Sequence, residues 1–275
     1  MRQKRIKVNR KEISYYESRD NGHPVVMVHG MSSSSAIYIR QLIDSVLSYQ
    51  FRFIALDLIG HGKSDFADNP EEDYTIKGLS NFLVDFNNTL ELKDAVYVGH
   101  NIGANVILES FNDLNNPKGL VMLGSVPFSN PITKEMFLKE ELYDLFSKAG
   151  IDDSEVHQLA SYFVEEKTKY PEFIPEIIRK ADMKTRRVLF ESIAKGEYKD
   201  QIELLKEIKV PVAVYCGELD QIINFDYLNE IQIPTIWRNI IQIIREVGHI
   251  FFYESPADFN ISFEAYLNTA FHWGT

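Results

Sequence analysis

The stretch Ala95-Val96-Tyr97-Val98-Gly99-His100-Asn101-Ile102-Gly103 decides the fold. Ala95 to Val98 is a short apolar run closed by glycine, which reads as a buried strand. Residues 104–111 continue as a helix. The glycines flanking Asn101 let the backbone turn sharply, so side chain 101 projects from a strand–turn–helix junction. In isolation, a tight loop with no chemical role looks the same, and the rest of the chain has to separate the two readings.

Working outward, the same pattern recurs. Residues 24–28 form an apolar run that ends in His29-Gly30, and residues 51–58 form another that leads into Asp57-Leu58-Ile59-Gly60-His61-Gly62-Lys63-Ser64. Residues 120–123 make a further strand. A helix is expected over 75–91, through Phe82 and Phe86, and residues 5–18 alternate around Asn9-Arg10-Lys11 as a hairpin would. Strands alternating with helices imply a parallel sheet with crossover connections. That alternation stops near Val126. Residues 128–200 carry helical patterns, charge and many aromatics: Phe137, Tyr143, Phe146, Tyr162, Phe163, Tyr170, Phe173 and Phe190. Strand patterns resume at 210–215 and 241–244, the latter run ending near Val247, and a last helix is expected over 256–270. The fold class is therefore α/β: a mostly parallel, twisted sheet flanked by helices, with a helical cap inserted after the strand that ends near residue 124. Residues 1–127 and 201–275 are assigned to the core and 128–200 to the cap.

Bulk properties narrow the function. A chain of 275 residues suits one large α/β domain with an insertion. The net charge of −11 argues against nucleic acid and anionic membranes as partners, because phosphate binding needs a basic face. The single cysteine, Cys216, allows no internal disulfide and reads as a buried thiol in an apolar run. The basic residues 1–5 are followed by an alternating strand, not by the apolar stretch of a signal peptide, and no apolar run is long enough to span a membrane. A cytoplasmic monomer is the expectation.

Three loop positions follow three strands in the order 101, 220, 249, and loops at the carboxyl ends of parallel strands are where such sheets bind ligands. Asn101 occupies the first. Gly217-Glu218-Leu219-Asp220 supplies a carboxylate able to hold a histidine in one tautomer, with Glu218 a competitor to Asp220. Gly248-His249 supplies the base. Of seven histidines only His249 and His272 lie beyond the last strand pattern, and His272 sits in the tail. Asp220 alone is equally a turn residue, and a lone histidine after a strand is more often structural; it is the order of the three that carries weight. A fourth element, His29-Gly30 followed by Met31 and four serines, can aim backbone N–H groups at a developing oxyanion, and the donors are assigned to Met31 and Ile102. Its bland reading is a serine-rich surface loop.

These residues resemble the α/β-hydrolase superfamily over essentially the whole chain, through His29-Gly30, Asp57-x-x-Gly60-x-Gly62-x-Ser64, residues 99–103, Gly217-x-x-Asp220 and Gly248-His249. Several stretches are most similar to the acyl-homoserine-lactone lactonases of this fold: residues 29–34 with Ala36-Ile37 and Gln41-Leu42, residues 60–64, Arg186-Arg187-Val188-Leu189-Phe190-Glu191, and residues 254–259. The resemblance implies a hydrolase that needs no metal or cofactor and opens a lactone ring on a small substrate with an acyl chain. It also implies a cap tyrosine near the substrate, for which Tyr162 is the candidate. His29, Phe146 and Phe163 complete the candidate substrate-contacting set, and the plain reading of the two phenylalanines is cap core. Arg186 and Arg187 are expected to face solvent or to pair with acids such as Glu191.

The chain departs from that family where it matters most: the family's serine is Asn101. A carboxamide offers no ionisable proton for His249 to remove, and its oxygen is a poor nucleophile. Losing a triad nucleophile costs on the order of 10⁶ in rate in a well-studied protease. Asparagine nevertheless tolerates the positive φ of such a turn. Three accounts stand side by side. Asn101 replaces a serine, leaving a lactone or ester hydrolase impaired. It replaces an aspartate, as in dehalogenases and epoxide hydrolases, although Ser32 and Ile102 stand where those families carry proline and tryptophan. Or it belongs there, and the Asp220–His249 dyad runs lyase, decarboxylase or cofactor-free oxygenase chemistry, or the site binds a small ligand without turnover.

Overall fold

The apolar runs become β1 (Arg2–Val8), β2 (Lys11–Glu17), β3 (His23–Val28), β4 (Phe51–Leu56), β5 (Val96–His100), β6 (Gly119–Leu123), β7 (Val212–Gly217) and β8 (Gln242–Ile244). In the computed structural model, which describes residues 1–136, 138 and 141–274, they form one sheet in the order β1-β2-β4-β3-β5-β6-β7-β8. Phe137, counted above among the aromatics of the insertion, lies outside the described residues. The strands from β3 to β8 pair in parallel, while β1 and β2 form an antiparallel hairpin on the β4 edge. Asn9 and Arg10 take φ of 49° and 71°, the paired positive values that a two-residue hairpin turn requires.

The register brings Val28 opposite Gly99, His100 opposite Leu123, Leu123 opposite Tyr215 and Gly217 opposite Ile244. The loops after β3, β5, β6, β7 and β8 therefore leave from one edge. Strand order reverses between β3 and β5, and such a reversal opens a crevice at the carboxyl ends of its two strands. Asn101 sits at that point.

Helix α1 (Ile76–Thr89) is capped by the Thr75 hydroxyl, which accepts from the Gly78 N–H at 2.9 Å. Helix α2 (Ile102–Ser110) follows β5 with every residue buried. Helix α8 (Pro256–Phe271) closes the chain against the other face, its Phe259 and Phe263 stacked within a cluster that includes Phe251 and Phe252. Between β6 and β7 the described residues form helices and no strand: α3 (Glu141–Ser147), α4 (Asp153–Ser161), α5 (Phe173–Lys180), α6 (Lys184–Ala194) and α7 (Gln201–Glu207). Phe128, a few residues after β6, and Gln201, at the start of α7, are tied together across the insertion. The Gln201 N–H donates to the Phe128 carbonyl at 2.9 Å, and Gln201 Oε1 accepts from the Phe128 N–H at 3.1 Å. One expectation needs correction. The last strand ends at Ile244, not near Val247; Glu246 takes φ 58°, which turns the chain out of the sheet before His249.

The two glycines of the junction are fixed by contact distance. A Cβ on Gly99 would lie 2.3 Å from Ala104 Cα, and one on Gly103 would lie 2.2 Å from the Val28 carbonyl oxygen. Helix propensity alone favours alanine over glycine by about 1 kcal/mol, but here the collision is with backbone and outweighs it. Gly103→Ala is expected to lower stability by about 1–3 kcal/mol. Gly150→Ala, which meets nothing within 4 Å, should leave stability nearly unchanged; urea unfolding of the two variants measures the contrast.

Candidate active site

Asn101 takes φ 52° and ψ −127°, a strained conformation for a residue with a side chain. Its N–H donates to Leu123 O and its carbonyl accepts from the Ala104 N–H, both at 3.0 Å. Ile102 opens α2, so its N–H is among the first four that have no acceptor inside the helix. Gly30 presses on the junction from the β3 side: a Cβ there would lie 2.8 Å from Asn101 Cβ.

Asp220 and His249 converge on the same side chain. His249 Nδ1 lies 2.7 Å from Asp220 Oδ2, and His249 Nε2 lies 3.3 Å from Asn101 Nδ2. A carboxylate accepts, so Nδ1 carries the proton and Nε2 presents its lone pair to the Asn101 amide. Asp220 Oδ1 accepts from the Ile222 and Ile223 N–H groups at 2.8 and 3.3 Å, which fixes the carboxylate plane. Both side chains are buried. Glu218 points elsewhere and accepts from the Glu246 N–H at 2.9 Å. His272 is remote, its ring bonded to the Asn268 carbonyl at the end of α8.

The loop after β3 is held by the Asp57 motif. Asp57 Oδ1 accepts from the Ser35 N–H and hydroxyl at 2.8 and 2.6 Å, and Oδ2 accepts from the Lys63 N–H at 3.0 Å. Gly62, at φ 57°, passes so close that a Cβ would lie 2.3 Å from Asp57 Cγ. The motif is thus a brace for residues 29–35. His29 belongs to the same brace. Its Nδ1 donates to the Gly30 carbonyl at 2.7 Å and its Nε2 accepts from the Leu58 N–H at 3.0 Å, so both ring nitrogens are spent on backbone and the ring is fully buried.

A small cavity of about 30 Å³, partly open to solvent, lies over Asn101. Its wall is largely apolar: Met31, Ile102, Val126, Phe128, Phe146, Phe190, Ile193, Ile222 and Ile223, with Asn105 and Ser125 as polar members. Of the aromatics singled out from sequence as substrate contacts, Phe146 lines this cavity. Phe163 does not; its ring stands edge-on to His249 at 6.2 Å and its carbonyl accepts from the Ile250 N–H at 2.8 Å. Tyr162 caps the C-terminus of α4, half-buried and away from the cavity wall. Phe190, on α6, was named from sequence only as a cap aromatic, yet it lines the wall.

Arg186 and Arg187 correct the expectation that both face solvent or pair with acids. Arg187 does pair with Glu191 at 3.0 Å and also with Glu71. Arg186 is buried and donates to Ser32 Oγ at 2.9 Å, Lys148 O at 2.9 Å and Ala149 O at 3.2 Å. It ties α6 and the segment after α3 to the loop that carries Met31. Cys216 is buried in β7, where desolvation pushes its thiol pKa up. Among the described residues no group of three His, Cys, Asp or Glu is placed to hold a metal, and no helix is long and apolar enough to cross a membrane.

Burial holds His29 down to a pKa of about 4 and His61 to about 3, and it also lowers that of His100, whose ring lies 4.5 Å from His249. Unfolded, each would bind a proton near the ordinary histidine value. Between that value and about 4 the unfolded chain therefore holds more protons, so stability falls as pH drops through this window. Each histidine kept neutral contributes a slope of about 1.4 kcal/mol per pH unit. Urea unfolding at neutral pH and near pH 5 is expected to show this loss, and His61→Asn should make the slope shallower.

Comparison with known proteins agrees with this fold. A family model for the alpha/beta hydrolase fold matches residues 23–256. The AB hydrolase superfamily protein YisY of Bacillus subtilis is 23% identical over 273 residues, covering 96% of this chain and 98% of that one. An uncharacterized protein of Mycobacterium bovis is 29% identical over 89 residues, which is 32% of this chain; the match spans only 25% of that relative's length. The crystal structure of the N-acyl homoserine lactonase AidH complexed with N-butanoyl homoserine superposes with a TM-score of 0.94, over 100% of this chain and 99% of that one, at 24% identity. With the family model running from β3 to the first residue of α8, around a junction, an acid and a histidine in this order, the chain belongs to the alpha/beta hydrolase fold family.

Proposed function

We propose that this chain is a hydrolase scaffold for a lactone or carboxylic ester whose site lacks its nucleophile. The carrying observation is His249, held between Asp220 at 2.7 Å and the side chain at position 101 at 3.3 Å. In the serine form, the hydroxyl at 101 attacks the substrate carbonyl and His249 takes its proton. Asp220 orients His249 and stabilises its cation. The N–H groups of Met31 and Ile102, on the two loops that meet at Gly30, form the oxyanion hole. Asn101 keeps the hydrogen-bond geometry and removes the nucleophile.

The helical insertion acts as a cap in this reading, and the apolar wall suits an acyl chain. Met31 lies at the reacting end, while Phe146 on α3 and Phe190 on α6 line the same cavity from the insertion. The similarity to the N-acyl homoserine lactonase AidH, complexed with N-butanoyl homoserine, makes acyl-homoserine lactones the first substrates to try. A small-molecule substrate, no nucleic acid, no membrane and a cytoplasmic monomer complete the proposal.

Asn101→Ser is expected to gain hydrolysis of p-nitrophenyl esters and of acyl-homoserine lactones by on the order of 10³-fold or more over the Asn101 chain. If the serine form gains neither, the hydrolase reading fails. In that serine form, Phe146→Ala should raise KM for long-chain substrates about tenfold, the loss of roughly 1.4 kcal/mol of apolar contact, and change short-chain KM little.

A further inference from the structure

We infer that Asn101 is itself a substrate of the site, and that the His249–Asp220 pair hydrolyses its side-chain amide to leave an aspartate at position 101. The inference rests on the proposed hydrolytic role of His249 but on no particular ester or lactone. Three observations carry it.

First, Asn101 Cγ is an acyl carbon, and its two substituents are sorted. The nitrogen, Nδ2, faces His249 Nε2 at 3.3 Å. The oxygen lies on the Gly30 side: a Cβ on Gly30 would be 3.3 Å from Oδ1. Gly30 leads directly into Met31, so the carbonyl oxygen is on the side of the loop assigned to stabilise an oxyanion. The leaving nitrogen is on the side of the group that can protonate it. An amide awaiting hydrolysis needs this arrangement.

Second, the side chain is held in place. The φ of 52° and ψ of −127° are enforced by the contacts of Gly99, Gly103 and Gly30, and α2 behind them is wholly buried. A reacting group fixed beside its catalyst has already lost most of the freedom that slows the reaction in solution.

Third, water can reach the carbonyl carbon. Asn101 lines the cavity of about 30 Å³, room enough for a water molecule, which is partly open to solvent and has Ser125 and Asn105 in its wall. The Nδ2–Nε2 contact is at the long end for a hydrogen bond, so a water molecule can take its place at Nε2 with little loss.

The step balances without any oxidant or co-reactant. The water oxygen bonds to Cγ while His249 Nε2 takes a water proton. The tetrahedral oxyanion develops on Oδ1, and Asp220 stabilises the histidine cation. The Cγ–Nδ2 bond then breaks as His249 returns the proton to nitrogen. Ammonia leaves, takes up the acid proton as ammonium, and residue 101 remains as a carboxylate. A competing route is attack of the Ile102 backbone nitrogen on Cγ. That route forms a cyclic imide, needs no His249, and opens to a mixture of aspartate and isoaspartate.

The test follows the mass of the peptide containing residue 101. The purified chain is incubated at neutral pH in ordinary and in oxygen-18 water, and sampled over time. The expected result is conversion of the amide to an acid that carries one heavy oxygen at residue 101, with normal aspartate linkage. The rate should fall about 100-fold in His249→Ala and in His249→Gln, two variants whose thermal melts report whether the fold is kept. Asn101 staying intact in the folded chain overturns the inference. So does conversion at an equal rate in both His249 variants, or conversion to isoaspartate. The Asn101→Ser assay is separate: ester hydrolysis there with an intact Asn101 here sinks this inference alone, and the reverse pattern sinks the ester reading alone.

Discussion

The close approach of α2 to the ends of β3 and β5 is the constraint on which the site depends. Gly103 lets the first turn of α2 rest on the Val28 carbonyl, and Gly99 lets the strand end rest on Ala104. With both contacts made, residue 101 has no ordinary backbone conformation left to it. Its φ of 52° costs about 1–3 kcal/mol, and the buried helix and the Asn101 N–H bond to Leu123 hold it there. Strain of that kind is retained only where the surroundings over-determine it. Here it aims one side chain into the crevice at the point where strand order reverses, and every other piece of the site is built around where that side chain goes.

The loop after β3 is held from two sides. From the sheet, Asp57 and His29 brace it through backbone and serine contacts. From the insertion, Arg186 reaches Ser32, which has φ 52° and directly follows Met31. Among the described residues, the hydrogen bonds of Arg186 all run to neutral oxygens, and burial lowers its pKa. Glu155 offsets part of that desolvation through charge but makes no hydrogen bond to the guanidinium; a buried guanidinium is expensive to unpair, so the insertion cannot shift freely across the sheet. The walls from α3 and α6 that carry Phe146 and Phe190 are thereby fixed relative to Met31 and Asn101.

Much of this was legible in the sequence, and what was missed has a common cause. The glycines at 99 and 103 announce the junction because nothing larger fits, and that need is local in the chain. Asp220 and His249 were legible from their order after strands. His29 stands among the candidate substrate contacts in sequence, yet its ring nitrogens are spent on Gly30 and Leu58, which come from separate loops. Arg186 and Arg187 are neighbours in sequence but point about 100° apart on α6, so one enters the core and the other meets Glu71 and Glu191 on the surface. Val247 extended an apolar run on paper, yet the positive φ of Glu246 had already ended β8. Tyr162 and Phe190 were both aromatics of the insertion, and only the packing of α4 and α6 decides which one meets the cavity.

The polarity of the hydrogen bonds gives position 101 a chemical character beyond its geometry. His249 donates from Nδ1 to Asp220, so Nε2 must accept, and Asn101 meets it with an N–H. A serine hydroxyl would meet it the same way, donating to Nε2. An aspartate could not: two acceptors facing each other would repel unless His249 gained a proton and became a cation between two carboxylates. Asparagine therefore preserves the donor–acceptor order of a serine site and breaks that of an aspartate site. The same order sets the limit on what the present side chain can do. It can hold His249 in its working tautomer, but it has no oxygen nucleophile to hand to a substrate, and the acyl carbon nearest to the base is its own.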